Sequence, residues 1–233
     1  DFAPGNHLEL LLCELPEALD WSCAVKLFGR LKCDATGADG ITVAADHVTI
    51  DLGGHALIGP GAASGFGIKQ GSQYRNLRVI NGTVSDWQGA EEEAAGIQAM
   101  GTGNQFENLL VSLNRWGIYT GDGAKVAGCT FSGNLGDGLH VGNASVVKGC
   151  TAVNNGYGII TENGCSVADC AARNNNGYGF VVGYGGAIRN CAASANTAYG
   201  FRVLDACAVL NCSAEANGSD GAYVGNGCTL KGC

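Results

Sequence analysis

One repeat length runs through the second half of the chain. Cysteines recur there every 20 or 21 residues, and an asparagine follows each of the first five of them at a constant offset. The cysteine column is Cys129, Cys150, Cys170, Cys191, Cys212 and Cys233, and the asparagine column is Asn134, Asn155, Asn175, Asn196 and Asn217. A fixed step at which each residue type keeps its own phase is typical of a solenoid.

A glycine column keeps the same step and extends it toward the N-terminus. It consists of Gly40, Gly67, Gly96, Gly117, Gly138, Gly158, Gly179, Gly200 and Gly221. Apolar and polar residues alternate after these glycines, which predicts short strands. We therefore expect an all-β parallel β-helix, a single-stranded solenoid of about nine rungs, in which equivalent residues stack about 4.8 Å apart.

The two ends of this pattern define the predicted domains. Residues 38–233 are predicted to form the parallel β-helix. Residues 1–37 are rich in leucine and lack the repeat, so we expect an N-terminal cap with a short helix that begins near Pro16. Within the solenoid, the glycines are expected to supply backbone angles that other residues resist. Each asparagine amide is expected to donate to a carbonyl of the next coil and to accept from the previous one.

Composition narrows the classes of function. The 39 glycines, 3 prolines and 15% charged residues fit many short strands joined by turns. With a net charge of −8 and no basic stripe, nucleic acid is excluded as a partner, and no apolar run is long enough for a membrane span. The start at Asp1 and the 12 cysteines without a CxxC pair predict a secreted, extracellular or cell-surface protein.

Several segments resemble the right-handed parallel β-helix repeat family. They are GITVAADHVTIDLGGHALIGPG at residues 40–61, NGTVSDW at residues 81–87, and the repeats NNGYGI and NNNGYGF. That family is pectate-lyase-like and includes NosD-type carbohydrate-binding and sugar-hydrolase repeats. The resemblance covers residues 23–233 and implies a right-handed coil. Because the family contains lyases, hydrolases, epimerases, adhesins and proteins without a known reaction, it does not imply one activity.

The outward positions after the glycines contain the candidate catalytic residues. This column reads Thr42, Lys69, Gln98, Tyr119, His140, Ile160, Val181, Arg202 and Tyr223. A polysaccharide lyase needs a base and a cation that holds the uronate carboxylate, so Lys69, Tyr119, His140 and Arg202 are candidates for these roles. Ile160 and Val181 interrupt the polar strip, and Arg202 should lie about 14 Å from His140, too far for one scissile bond. A scattered solvent-exposed face is the alternative interpretation.

Other carboxylates and a column of tyrosines add further candidates. Asp122 and Asp137 are the one pair of acids that could serve a glycosidase. No cofactor or metal site is predicted, and Ca²⁺ is expected only if the chain acts on a polysaccharide. Stacked tyrosines could bind sugar faces or could simply pack at a corner of the coil. These carbohydrate-contacting candidates are Tyr157, Tyr178, Tyr199 and Tyr223.

The cysteines allow more than one bonding scheme. A second column contains Cys165, Cys207 and Cys228. Stacked neighbours such as Cys129 and Cys150 lie within the Cα distance range of a disulfide, and bonds within one rung, such as Cys228 to Cys233, are an alternative. Buried free thiols that pack as small apolar groups are a third scheme. A bond between subunits, from Cys13 to Cys228 or Cys233, is a fourth.

Three functions remain open from the sequence. The favoured one is a structural β-solenoid that assembles head to tail with copies of itself into a filament or surface layer, because the repeat runs on phase to Cys233. The second is a lyase, epimerase or hydrolase that acts on an acidic polysaccharide at the outward column. The third is a carbohydrate-binding or adhesin module that uses the tyrosines.

Overall fold

The computed structural model describes residues 7–10, 24–27, 29–33, 37–62, 64–89 and 94–233. Regular structure in these residues consists of strands. They are β1 (His7–Leu10), β2 (Ala24–Leu27), β3 (Leu31–Lys32), β4 (Ile41–Val43), β5 (Thr49–Asp51), β6 (Ala56–Gly61), β7 (Ile68–Gln70), β8 (Arg78–Trp87), β9 (Ala95–Ala99), β10 (Gln105–Ser112), β11 (Trp116–Thr120), β12 (Lys125–Ala127), β13 (Thr130–Ser132), β14 (Asp137–Val141), β15 (Val146–Lys148), β16 (Thr151–Val153), β17 (Tyr157–Thr161), β18 (Ser166–Ala168), β19 (Ala171–Arg173), β20 (Phe180–Val182), β21 (Ala187–Arg189), β22 (Ala192–Ser194), β23 (Phe201–Val203), β24 (Ala208–Leu210), β25 (Ser213–Glu215), β26 (Ala222–Val224) and β27 (Thr229–Lys231).

Every strand pairs in parallel with its equivalent one coil away, and the coil has three faces. One face is a nine-stranded sheet in the order β26-β23-β20-β17-β14-β11-β9-β7-β4. The other two faces are joined through β8 and β10, which are long enough to continue around a corner and pair on both. This arrangement confirms the predicted parallel solenoid of nine rungs. No helix in the described ranges could cross a membrane.

The register confirms the stacking that the repeat predicts. On the nine-stranded sheet, Tyr119 pairs with His140, His140 with Ile160, and Arg202 with both Val181 and Tyr223. Residues that alternate with these point into the coil and stack there as well. Phe180 and Phe201 are fully or nearly fully buried, and their rings lie 5.1 Å apart and nearly parallel. Each such side chain contributes about 1.5–3 kcal/mol through burial, so the stacked core holds successive coils together.

The glycine column has a different physical basis from the predicted one. Gly138 and Gly179 do not adopt a positive φ. A Cβ on Gly138 would lie 2.8 Å from the carbonyl oxygen of Gly158, and one on Gly179 would lie 2.6 Å from that of Gly200. Glycine is therefore required because the backbone of the next coil approaches too closely for a side chain, not because of its backbone angles.

The asparagine column forms a continuous buried ladder. Asn134 Nδ2 donates to Asn155 Oδ1 at 2.8 Å and to the carbonyl oxygen of Val111 at 3.1 Å. Its own Oδ1 accepts from the backbone and side-chain amides of Asn114. The acceptor in the next coil is thus a side-chain amide rather than the expected main-chain carbonyl, and the ladder already includes Asn114. These bonds satisfy polar groups at a corner that water does not reach.

Parallel pairing reaches into the segment that the sequence assigns to a cap. Strand β2 pairs in register with both β1 and β5, and β3 pairs with β6. The division of the chain at residues 37 and 38 remains a prediction. The helix expected near Pro16 lies outside the described residues, and so does Cys13.

Candidate functional site

Three neighbouring five-residue strands of the nine-stranded sheet form the centre of the candidate site. They are β11, β14 and β17, and each presents its fourth residue outward. Parallel in-register pairing places Tyr119 beside His140. It also places Asp137, the first residue of β14, beside Tyr157. The outward column and the corner that precedes it therefore meet on one surface.

The imidazole of His140 lies between two carboxylates. Its Nδ1 is 3.3 Å from Oδ2 of Asp137, and its Nε2 is 3.1 Å from Oε1 of Glu162. Asp137 is almost fully buried, with a side chain 7% exposed, whereas the side chain of Glu162 is 49% exposed. Glu162 follows β17 directly, so it belongs to the next coil and reaches back toward His140. We call these three residues the carboxylate–histidine cluster.

The environment raises the pKa of His140. Burial alone would lower this pKa, but hydrogen bonds and charge interactions with Asp137 and Glu162 outweigh it. The imidazolium, in which both ring nitrogens donate, is therefore stabilised relative to a free histidine. A histidine in this state can give a proton to a substrate and take one back, which is the requirement for general acid–base catalysis.

Two aromatic side chains enclose the ring of His140. The Trp116 ring is stacked with the imidazole at a centroid distance of 6.3 Å, and the Tyr119 ring meets it edge-on at 4.9 Å. Trp116 and Tyr119 also contact each other at 5.5 Å. These contacts fix the orientation of the imidazole and provide apolar surface of the kind that binds the faces of sugar rings.

A line of tyrosines continues from this cluster along the sheet. The ring centroids of Tyr157 and Tyr178 are 5.5 Å apart, those of Tyr178 and Tyr199 are 5.8 Å apart, and those of Tyr199 and Tyr223 are 5.7 Å apart. Tyr157 and Tyr223 are exposed. The guanidinium of Arg202 lies 5.8 Å from the ring centre of Tyr178. We call Tyr157, Tyr178, Tyr199 and Tyr223 the tyrosine ladder.

The structure brings together only some of the residues that the sequence suggests. Tyr119 and His140 lie side by side, whereas Lys69 is three strands away, paired with Asp39 at 3.6 Å and placed over the Phe66 ring. Arg202 is three strands from His140 in the other direction. Asp122 accepts from the backbone and side-chain amides of Asn143 in a turn, and its pairing with Asp137 in a glycosidase stays a prediction.

Two site residues, Glu162 and Trp116, are not selected when equivalent positions of the repeat are compared one column at a time. Asp137, His140 and Glu162 belong to three different columns of the repeat, so no one column reveals them as a group. The signal that could have found them is an outward histidine with an acid at the start of its own strand and another acid directly after the next strand. Long side chains cross between columns at corners of the coil.

The described cysteines are free thiols, and all of them except Cys33 lie in the two predicted columns. The Cys150 amide donates to Sγ of Cys170 at 3.4 Å, and the Cys207 amide donates to Sγ of Cys228 at 3.3 Å. Hydrogen bonding to Cys129 and Cys170, together with burial, raises the pKa of Cys150, and burial raises the pKa of Cys165. Both residues are therefore held as unreactive thiols. No group of three or more potential ligand side chains that could hold a metal ion occurs in the described part of the chain.

A parallel solenoid with one polar and aromatic sheet surface defines a β-helix protein. Residues 95–233 match the profile of the family described as right handed beta helix region, and the chain therefore belongs to that family. A solved structure of endopolygalacturonase I from Stereum purpureum, complexed with two galacturonate, has 12% sequence identity and a TM-score of 0.48. That match covers 90% of this chain and 87% of the enzyme, and at this similarity it has no bearing on activity. No match to a curated protein was found.

Proposed function

We propose that the chain is a carbohydrate-active protein that binds a polysaccharide along its nine-stranded sheet and cleaves it at the carboxylate–histidine cluster. One observation supports this proposal above the others: the imidazole of His140 bridges Asp137 and Glu162 on an outward surface beside Trp116. This group combines an acid–base residue with a platform for a sugar ring.

The burial of the two acids suggests separate roles for them. Asp137 is nearly inaccessible, so it acts as a positioning residue that holds Nδ1 of His140. Glu162 is half-exposed and is hydrogen-bonded to Nε2 of His140, the ring nitrogen away from Asp137. The His140–Glu162 pair can therefore exchange a proton with a glycosidic oxygen or a sugar C–H. Tyr119 then lies beside the reacting group. The same pair would serve hydrolysis or β-elimination, and the products distinguish these reactions.

The test is a screen for cleavage of pectate, alginate and glycosaminoglycans. New reducing ends report any cleavage, and absorbance of unsaturated products reports β-elimination. We expect His140→Ala to lower kcat by about 10²–10⁴-fold, the usual contribution of a general acid–base residue. His55→Ala is the matched control, because His55 lies between β5 and β6, outside the nine-stranded sheet. If the protein cleaves none of these substrates, or if His140→Ala retains full activity, the proposed function is wrong.

End-to-end assembly, the function that the sequence favours, is a second proposal. Strands β25, β26 and β27 are hydrogen-bonded to the coil before them. The opposite edges of these strands lie beside a pocket lined by Phe201, Val209 and Leu230. A further coil of this chain, or a second copy of it, would cover this surface. Assembly of the purified protein into filaments under electron microscopy, and its absence after Leu230→Glu, would support this idea. Monodisperse particles at all concentrations would contradict it.

An extracellular or cell-surface location belongs to the first proposal, because extended polysaccharides are abundant there. The cysteines do not add support, since the described ones are free thiols. The location is tested by expressing the full-length gene product and measuring whether it is present in the medium or on the surface of intact cells.

A further inference from the structure

We propose that two pairs of stacked cysteines, Cys207 with Cys228 and Cys212 with Cys233, form an oxidation site of the solenoid. A two-electron oxidant of the hydrogen peroxide class converts each pair into a disulfide, which joins the coil of β24 to the coil of β27. The proposed cleavage uses none of these residues, so the two proposals stand or fall separately.

The two pairs lie on either side of one pair of parallel strands. Cys207 and Cys228 directly precede β24 and β27, and Cys212 and Cys233 follow the same strands two residues after their ends. Because β24 and β27 pair in register, each cysteine lies one coil from its partner, about 4.8 Å at the usual strand spacing. A disulfide joins Cα atoms about 4.4–6.8 Å apart, so the register places both pairs within bonding range.

Hydrogen bonds hold the members of the first pair against each other. The backbone amide of Thr229, the residue after Cys228, donates to the carbonyl oxygen of Cys207 at 2.9 Å. The amide of Cys207 in turn donates to Sγ of Cys228 at 3.3 Å. The sulfur of Cys228 therefore already lies against the backbone of the cysteine that it would join.

The sulfurs of the second pair have matching orientations. Sγ of Cys212 lies 3.3 Å from the carbonyl oxygen of Leu210, and Sγ of Cys233 lies 3.5 Å from that of Lys231. Leu210 and Lys231 are partners in the strand register, and the amide of Asn211 donates to the carbonyl oxygen of Lys231 at 2.8 Å. The two sulfurs are therefore stacked one coil apart and point the same way.

Exposure distinguishes these two pairs from the other stacked cysteines. The column cysteines of the coils before β24 are at most 3% exposed, so an oxidant in solution does not reach either member of a pair there. In the two proposed pairs, Cys207 and Cys212 are buried, whereas Cys228 is partly exposed and Cys233 is exposed. A pocket of about 440 Å³ is lined by both Cys212 and Cys233. Each pair therefore combines one thiol that an oxidant can reach with one buried thiol directly beside it.

The reaction takes place in two steps that balance without a further reagent. The thiolate of the exposed Cys233 attacks hydrogen peroxide, so that an S–O bond forms, the O–O bond breaks and hydroxide leaves with the thiol proton as water. The thiolate of Cys212 then attacks the resulting sulfenic acid, so that the S–S bond forms and the S–O bond breaks, which releases a second water. Two thiols thus lose two electrons and two protons, and one peroxide is reduced to two waters. Cys228 and Cys207 react in the same order.

The environments of the two buried thiols set the order in which the bonds form. A hydrogen bond with Cys191 lowers the pKa of Cys212 to about 7, whereas burial raises the pKa of Cys207. The thiolate is the attacking species in disulfide formation, and Cys233 is also the more exposed of the two outer thiols. We therefore expect the bond between Cys212 and Cys233 to form before the bond between Cys207 and Cys228.

Peptide mapping of the folded full chain tests the site. The chain is treated with hydrogen peroxide, denatured in iodoacetamide to label the remaining thiols, and digested with chymotrypsin. Cleavage after Leu210, Tyr223 and Leu230 puts the four cysteines on four separate peptides, so mass spectrometry identifies each bond. We expect both disulfides, in the order given above, with the interior thiols still reduced, and we expect dithiothreitol to reverse the bonds.

Single variants and hydrogen exchange show what the bonds do to the solenoid. Cys233→Ser should prevent only the bond to Cys212, and Cys228→Ser only the bond to Cys207. Cys33→Ser, which changes a partly buried cysteine outside the columns, is the matched control and should leave both bonds intact. Oxidation should slow amide hydrogen exchange in β27 by about tenfold or more, because β27 can then no longer separate from β24. In the double variant Cys228→Ser/Cys233→Ser, oxidation should leave this exchange unchanged.

Several results would overturn the proposal. One is oxidation of Cys233 to the sulfinic acid without any disulfide, which would show that Cys212 does not reach it. A bond between Cys228 and Cys233 within one coil, or a bond between two chains seen as a dimer on a non-reducing gel, would also contradict it. Equal exchange of β27 in the reduced and oxidised chain would show that the two coils are not joined. Circular dichroism of each variant establishes that it is folded before it is compared.

Discussion

His140 shows how two opposing effects combine on one side chain. Removal of water disfavours the charged imidazolium, while the carboxylates of Asp137 and Glu162 favour it. The carboxylates prevail because both ring nitrogens have a partner within 3.3 Å. Trp116 and Tyr119 then restrict the ring to the one orientation in which both hydrogen bonds form. The folded structure therefore favours the protonated form of His140 before any ligand binds.

The raised pKa of His140 predicts a stability that depends on pH. The folded pKa exceeds the unfolded value of about 6.5, so the stabilisation is fully present below about pH 6.5 and is lost as pH rises through the folded pKa. His140→Gln should therefore lower the free energy of unfolding by about 1–3 kcal/mol more at pH 6 than at pH 9, measured by urea denaturation. His55→Gln serves as the control. An equal loss at both pH values would contradict the account of His140.

Ladders of identical residues link successive strands of the solenoid. Each coil is short, and its strands are hydrogen-bonded mainly to the coils on either side rather than within the coil. The buried asparagines extend this pattern to side chains, since each amide bonds to the coils before and after it. Disruption of one step of the asparagine ladder therefore weakens two interfaces between coils.

Asn155→Ala should destabilise the solenoid strongly. Asn155 is fully buried, and its loss removes the bond from Nδ2 to Asn175 Oδ1 and leaves the Nδ2 group of Asn134 without its acceptor in the next coil. Unpaired buried groups cost about 1–3 kcal/mol each, so we expect the free energy of unfolding to fall by about 2–5 kcal/mol. Asn226→Ala, at an exposed turn, should change it by less than about 0.5 kcal/mol. Similar effects of the two variants in denaturant titrations would refute the importance of the ladder.

The whole molecule is a stack in which each coil is stabilised by its neighbours. In such a stack the stability is close to a sum of coil and interface contributions, so a coil with a neighbour on one side opens before an interior coil. The exposure of the cysteines differs in the same way between interior coils and the last coil. Cys150 and Cys170 are almost fully buried between coils, Cys228 is half-buried, and Cys233 is exposed.

Thiol labelling should follow this order of exposure. With iodoacetamide under native conditions, we expect Cys233 to react first and Cys228 next. The interior thiols from Cys129 to Cys191 should remain unlabelled until the protein is denatured, because burial between the coils keeps the reagent from reaching them. Mass spectrometry of peptides identifies each labelled site. Early labelling of Cys150 or Cys170 in the native protein would show that the interior coils open far more readily than the structure implies.

Much of the fold could be predicted from the repeat, and little of the site could. Tyr119, His140, Ile160 and Val181 stack as their spacing predicts, because parallel pairing one coil away fixes the position of every equivalent residue. The glycine column was predicted in position but for a different reason, since the approach of the next coil's backbone is a property of three dimensions. The use of Asp122 and Asp137 as a glycosidase pair stays a prediction, and the structure adds the partners that the spacing does not show: His140 for Asp137 and Asn143 for Asp122.

A periodic pattern reports what is common to all coils, and here that is the solenoid, its register and its buried ladders. Backbone hydrogen bonding between coils enforces these features, so residue spacing alone is sufficient to predict them. The carboxylate–histidine cluster occurs once and joins residues from different columns and coils. Its formation depends on how far Glu162 reaches across a corner and how Trp116 turns the ring of His140, and these are consequences of side-chain packing in the folded chain.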